Sequence, residues 1–206
     1  LILTNFYRKK NVAIFISGRG SNMMALINDM KSEKEHPGQP KLVVSNNTKA
    51  DGLVFAEKNS VETFALDIEK IEDKLIFEEK TLQVLKERNI DIICLAGFMR
   101  ILSENFIKSF SKPILNIHPS LLPSFKGLNT HQRALKAGCL IHGATVHQIT
   151  NKVDEGPILG QTLIDITKNI TAKQLEEKLL PLEHLLYKKV LREFLNKSGK
   201  KILTIN

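Results

Sequence analysis

Short apolar runs alternate with longer amphipathic stretches through the first two thirds of the chain. Val12–Ile16 (VAIFI) is a continuous apolar run of strand length, and Leu42–Ser45, Glu62–Leu66, Asp91–Ala96 (DIICLA) and Ile114–Ile117 repeat the signal. Between them the spacing predicts helices over Ser21–Lys31, Ala50–Asn59 and Glu104–Phe110. A long amphipathic helix should place Ile71, Leu75, Leu82 and Leu85 on one face. Apolar strands separated by helices imply a parallel sheet covered on both faces.

The rhythm then changes. Ala144–Thr150 alternates, as does part of Ile158–Ile166, with Asp154-Glu155-Gly156-Pro157 between them, which predicts an antiparallel pair. Thr171 with Gln174 forms the signature of a capping box opening a long C-terminal helix, which Pro181 should kink. The expected fold is therefore α/β: a mostly parallel, doubly wound sheet with a C-terminal antiparallel strand pair and a long C-terminal helix. One domain is expected over residues 1–206, with 1–10 a ragged leader.

Composition narrows the function classes. No run approaches the roughly 20 apolar residues of a membrane span, and the first ten residues are too short and polar for a signal peptide. Cys94 and Cys139 form no C-x-x-C pair, and Cys94 sits inside an apolar run as a core residue. A reducing, cytoplasmic compartment fits this usage. The formal charge of +8 invites a nucleic-acid reading, but the lysines are scattered along helices and tail without interleaved aromatics. What remains is a positive field that favours small anionic substrates.

Two stretches carry candidate chemistry. Ser17-Gly18-Arg19-Gly20-Ser21-Asn22 follows the first strand and opens the first helix, where free N–H groups and the helix dipole attract an anion. Met23 stands where the dinucleotide fingerprint needs its third glycine, and the Gly-Lys-Ser/Thr of a P-loop is missing. A single-phosphate cradle remains, with Ser21 and Asn22 as side-chain donors. The second stretch is Leu115-Asn116-Ile117-His118-Pro119-Ser120-Leu121-Leu122-Pro123. Asn116 and His118 lie two apart on a strand, so they share a face, at the carboxyl edge where open α/β sheets bind ligands. An amide and an imidazolium can both donate to a carbonyl oxygen that becomes negative during acyl transfer. For that, His118 must hold a proton near neutral pH, so a carboxylate neighbour is expected. Asp154 is the leading candidate by position and Glu155 its rival. His131 reads as a surface or capping group at a helix start. His142 and His147 lack ligand spacing, so no metal is expected.

Ile16–Asn22, Leu95-Ala-Gly-Phe-Met-Arg-Ile-Leu102, Asn116–Pro123 and His142-Gly through His147 to Asp154 resemble, in order, the motifs of the phosphoribosylglycinamide formyltransferases. Those are purine-pathway enzymes that use 10-formyltetrahydrofolate as co-substrate, and the likeness runs from Val12 into the C-terminal helix. The resemblance implies Asn116, His118 and Asp154 as the catalytic trio, which favours Asp154 over Glu155. It implies Gly20, Ser21 and Asn22 at the substrate phosphate and Glu183 near its ribose. Asn116 and Met99, Arg100, Ile101 and Leu102 then border the folate. It also implies a cis Leu122–Pro123 bond and small-molecule partners, without nucleic acid or membrane, and is compatible with a homodimer. Lys74 stands where the family usually has an arginine near the folate, keeping the charge but losing the fork. Lys126 and Asn129 replace a frequent Pro and His in the loop after the motif. The runner-up is formyltetrahydrofolate deformylase, disfavoured by Pro119 and by the lack of a preceding regulatory domain. Methionyl-tRNA formyltransferase would need a second, tRNA-binding domain.

Overall fold

The computed structural model describes residues 8–68, 71–197 and 201–205. Eight strands form one sheet in the order β3-β2-β1-β4-β5-β6-β7-β8. β1 (Lys10–Ile16), β2 (Gly38–Ser45), β3 (Glu62–Ala65), β4 (Ile92–Leu95) and β5 (Ile114–His118) pair in parallel. β6 (Ile141–Gln148) runs antiparallel to both β5 and β7 (Ile158–Asp165), so the predicted antiparallel pair is present. β8 (Ile202–Ile205), which no sequence signal predicts, pairs parallel to β7.

The sheet is wound on both sides because β1 is apolar on both faces. Val12, Ile14 and Ile16 join one core cluster with α1 (Ser21–Ser32), α2 (Asp51–Lys58) and α6 (Ala172–Leu195). Ala13 and Phe15 join the other with α3 (Ile71–Glu87) and α4 (Glu104–Phe110). A short helix, α5 (Thr130–Lys136), follows the loop after β5. Thr171 and Gln174 make the reciprocal capping box at the start of α6. The helical run of α6 continues on both sides of Pro181. Arg192, near its end, grips Asp29 of α1 through Nε and Nη2 at 2.9 and 2.8 Å, which ties α6 to α1. Cys94 is buried, and burial pushes its thiol up to about 12, as befits an inert core residue.

Several boundaries differ from the expectation. β1 begins at Lys10 and Arg8 pairs with Asp91 at 2.8 Å, so the end of the expected leader is structured; residues 1–7 lie outside the described residues. β2 starts four residues early and contains Pro40, which is tolerated because the register with β1 slips beside it, between Val12 and Ala13. β6 ends at Gln148 rather than Thr150. The buried face of α3 is set by Phe77, Thr81 and Leu85, while Leu75 is 63% exposed. The acid that hydropathy assigns to solvent, Glu78, is buried because its carboxylate receives Ser103 N at 2.8 Å and the Ser103 hydroxyl.

α2 docks closely against the loop after β1. Gly52 N donates to Gly18 O at 3.2 Å. A Cβ at Gly52 would stand 2.6 Å from Ile16 Cδ1 and 3.1 Å from the carbonyl oxygens of Gly18 and Arg19. Gly52→Ala should therefore cost about 1–3 kcal/mol despite the better helix propensity of alanine. A calorimetric Tm equal to or above that of the unmodified chain would show that the loop gives way freely.

Candidate functional site

β1 feeds α1 and β2 on one side, whereas β4 returns on its other side, so the winding reverses between β1 and β4. The carboxyl ends of β1, β4 and β5 are neighbours there, and a crevice at such a reversal is where α/β sheets bind ligands. All three stretches singled out in the sequence hang from these ends.

After β1, Gly20 is the N-cap of α1 with φ 71°, and no side chain caps the helix, so its first N–H groups are available to an anion. Asn22 is buried in the first turn. Its Nδ2 donates to Glu183 Oε2 at 2.9 Å, while its Oδ1 has no partner among the described residues. Two predicted substrate residues, 161 positions apart, thus meet. Burial raises the Glu183 carboxyl to about 7, and the Asn22 hydrogen bond only partly opposes this.

After β4, Met99 and Ile101 are 69% and 67% exposed, Arg100 is exposed with Nη2 on Ile68 O at 3.1 Å, and Leu102 is buried. Met99 and Ile101 are therefore open to a ligand, and Leu102 anchors the segment. Lys74 lies 3.9 Å from Glu78, the acid that holds Ser103.

At the end of β5 the polar groups form a continuous cluster. Asn116 faces His147 across the antiparallel pair β5/β6, with Nδ2 and Nε2 3.2 Å apart. Asp154, 9% exposed, lies between the two imidazoles: Oδ2 is 3.5 Å from His118 Nδ1 and Oδ1 3.6 Å from His147 Nε2. Oδ2 also accepts from Gly127 N at 2.9 Å. Asp154 adopts φ 54°, which turns its carboxylate inward, whereas Glu155 points to solvent and pairs with Lys126 at 2.8 Å. His118 Nε2 donates to Phe125 O at 3.0 Å, because a carbonyl can only accept. Both nitrogens of His118 therefore face oxygens.

Sequence reasoning missed two histidine roles. His147 is fully buried and contacts both Asn116 and Asp154. Its signal was its place on the same alternating strand, but the register that aims it at Asn116 is tertiary. Burial lowers its pKa. His131 is not a surface or capping group: it is half-buried, and its Nδ1 meets His142 Nε2 at 3.1 Å. Burial, with His131 alongside, lowers His142 to about 4, so the pair is neutral near pH 7. Asn129, where the family often has histidine, is the left-handed N-cap of α5 at φ 56°. The Leu122–Pro123 bond is cis. Among the described residues, no group of three or more His, Cys, Asp or Glu could hold a metal, and no helix is long and apolar enough to cross a membrane. A cavity of about 660 Å³ opens at the amino edge near Ile92, Pro113 and Phe194, away from every one of these groups.

A doubly wound sheet brings an uncapped helix N-terminus, the exposed Met99 and Ile101 and an amide–imidazole–carboxylate cluster together on adjacent strand ends, and the relatives that share this frame are α/β transferases. The formyl transferase family model matches residues 10–191, and the chain belongs to that family. Phosphoribosylglycinamide formyltransferase of Bacillus subtilis is 34% identical over 93% of this chain and 99% of that protein. The human trifunctional purine biosynthetic protein adenosine-3 is 40% identical over 90% of this chain, which spans only 19% of that protein. Among solved structures, phosphoribosylglycinamide formyltransferase from Brucella melitensis superposes with a TM-score of 0.85 at 44% identity, covering 91% of this chain and 96% of that one. The Anaplasma phagocytophilum enzyme gives 0.87 at 36%, covering 95% and 98%.

Glu183 generates a pH prediction. Its pKa is about 7 in the fold against an ordinary 4.5, so folding takes up a proton between those values. The stability of the neutral acid is fully present below 4.5 and is lost as pH rises to 7. Glu183→Gln stays neutral and can still accept from Asn22. Its stability relative to the unmodified chain should therefore rise between pH 5 and pH 8, by on the order of 2–3 kcal/mol. Denaturant midpoints at the two pH values would read this, and an equal difference at both would refute it.

Proposed function

We propose that the chain transfers the formyl group of 10-formyltetrahydrofolate to the amine of 5-phosphoribosylglycinamide, in de novo purine biosynthesis in the cytoplasm. The observation that carries this reading is the Asp154 carboxylate seated between His118 and His147, beside Asn116. The names and extents of the relatives support the choice of acceptor.

In this reading the N-terminus of α1, with Gly20, Ser21 and Asn22, holds the substrate phosphate, and Glu183 accepts from the ribose hydroxyls. Lys74 and the Met99–Leu102 segment border the folate, and Asn116 lies between the two ligands. The glycinamide amine attacks the formyl carbon, a C–N bond forms, and the carbonyl pair moves onto oxygen. His118 Nε2–H, which donates to the Phe125 carbonyl in this structure, donates instead to that oxyanion. The Asn116 amide turns so that Oδ1 accepts from His147 and Nδ2 faces the same oxygen. Asp154, 3.5 Å from His118 Nδ1, orients the imidazole. Collapse breaks the bond to the folate nitrogen, and the amine's proton reaches that nitrogen through a water beside Asp154.

Hydrolysis of the same formyl folate is the competing reading, and Pro119 after His118 disfavours it. Formyl-folate consumption should accelerate with glycinamide ribonucleotide and not with methionyl-tRNA or water alone. A rate independent of acceptor would make the chain a hydrolase. Asp154→Asn should lower turnover about 10²–10³-fold while ligand dissociation constants change far less, since the oxyanion exists only at the transition state. Unchanged turnover would reduce Asp154 to a residue that holds its loop.

A further inference from the structure

We infer that Ser17 is a positioning residue: its hydroxyl locks the Met99–Leu102 segment to the phosphate loop and so presets the folate side of the site. The ligand names rest on the function proposed above; the tie itself rests on geometry.

Ser17 is the first residue beyond β1. Its hydroxyl donates its one proton to Asn46 Oδ1 at 2.5 Å, and Asn47 Nδ2 donates to the Ser17 carbonyl at 3.3 Å. The loop after β2 therefore fixes both the place and the rotation of the hydroxyl. With its proton committed, Ser17 Oγ presents a lone pair, which accepts from Met99 N at 2.8 Å across the winding reversal. The three loops after β1, β2 and β4 converge on this oxygen.

The far end of the segment is held independently. Arg100 reaches Ile68 O, Leu102 is buried, and Ser103 is gripped by Glu78. The near end starts at Gly97, φ 78°, where a side chain would add no contact to stiffen the turn. Between Gly97 and Arg100, the Phe98 ring packs against Phe15 and Phe77, and the bond to Ser17 fixes the backbone N–H of the exposed Met99 beyond it.

Removing the hydroxyl strands no buried group on the Met99 side, because Met99 is exposed and water can take its N–H. The loss therefore falls on position rather than on folding. A bond of this kind is worth about 0.5–1.5 kcal/mol net, or roughly a three- to tenfold effect.

Ser17→Ala and Ser17→Thr would be compared with the unmodified chain in two assays. Amide exchange over residues 97–100 should quicken about three- to tenfold in Ser17→Ala, with β1 and α1 unchanged. The KM for formyl folate should rise by a similar factor, the KM for the ribonucleotide by less than twofold, and Ser17→Thr should restore both readouts. Unchanged exchange, an equal rise in both KM values, or unfolding of Ser17→Ala would overturn the inference, the last by making the hydroxyl structural. If the unmodified chain consumes no formyl folate with any acceptor, the proposed function fails while the exchange arm still decides the Ser17 tie.

Discussion

Polar atoms withdrawn from water must satisfy one another, and the end of β5 is where this constraint governs the molecule. Asn116, His118, His147 and Asp154 are too polar for the edge of an apolar sheet unless each finds a partner. Their contacts run in sequence from the amide to one imidazole, through the carboxylate, to the other imidazole. This forces β6 to pair antiparallel beside β5, since that register brings His147 opposite Asn116. It also draws the β6–β7 turn inward so that Asp154 arrives, at the cost of a left-handed backbone at a non-glycine residue. The loop after β5 is held by the same cluster, through Gly127 N on Asp154 and Phe125 O on His118.

The rest of the architecture supplies rigidity behind this cluster. The Tyr187 hydroxyl, fully buried in α6, lies 3.2 and 3.1 Å from the Leu95 and Leu115 carbonyls, bracing the strands that lead to Met99–Leu102 and to the Asn116–His118 pair. Asn22 and Glu183 join the opening turn of α1 to the same helix, and Arg192 clamps it to α1 further along. A single long helix thus ties the opening turn of α1 to β4 and β5.

How much of this was legible depended on whether the cause was local. Strand alternation alone put Asn116 and His118 on one face, and the glycines after β1 marked the turn into α1. The helix positions were legible, but the buried face of α3 is shifted from the expected one: Leu85 is buried as expected, while Leu75 is exposed and Glu78 is buried on Ser103. Asp154 and Glu155 could not be separated by spacing, because what separates them is a backbone angle and the competing Lys126. His147 was set aside for want of ligand spacing and His131 as a surface or capping group, and their partners come from cross-strand and helix-to-strand packing. β8 gave four residues of signal inside a lysine-rich tail, too little to distinguish it from tail.

The strand order carries a further consequence. Gly20–Asn22 and Met99–Leu102 lie just beyond β1 and β4, and His118 ends β5, three strands that are consecutive in the sheet. Neighbouring strands stand about 4.8 Å apart, a spacing set by hydrogen bonds that no side chain can adjust. Altering the spacing of these three anchors would require adding or removing a whole strand, so the frame on which the loops stand is fixed by the backbone and not by any side chain.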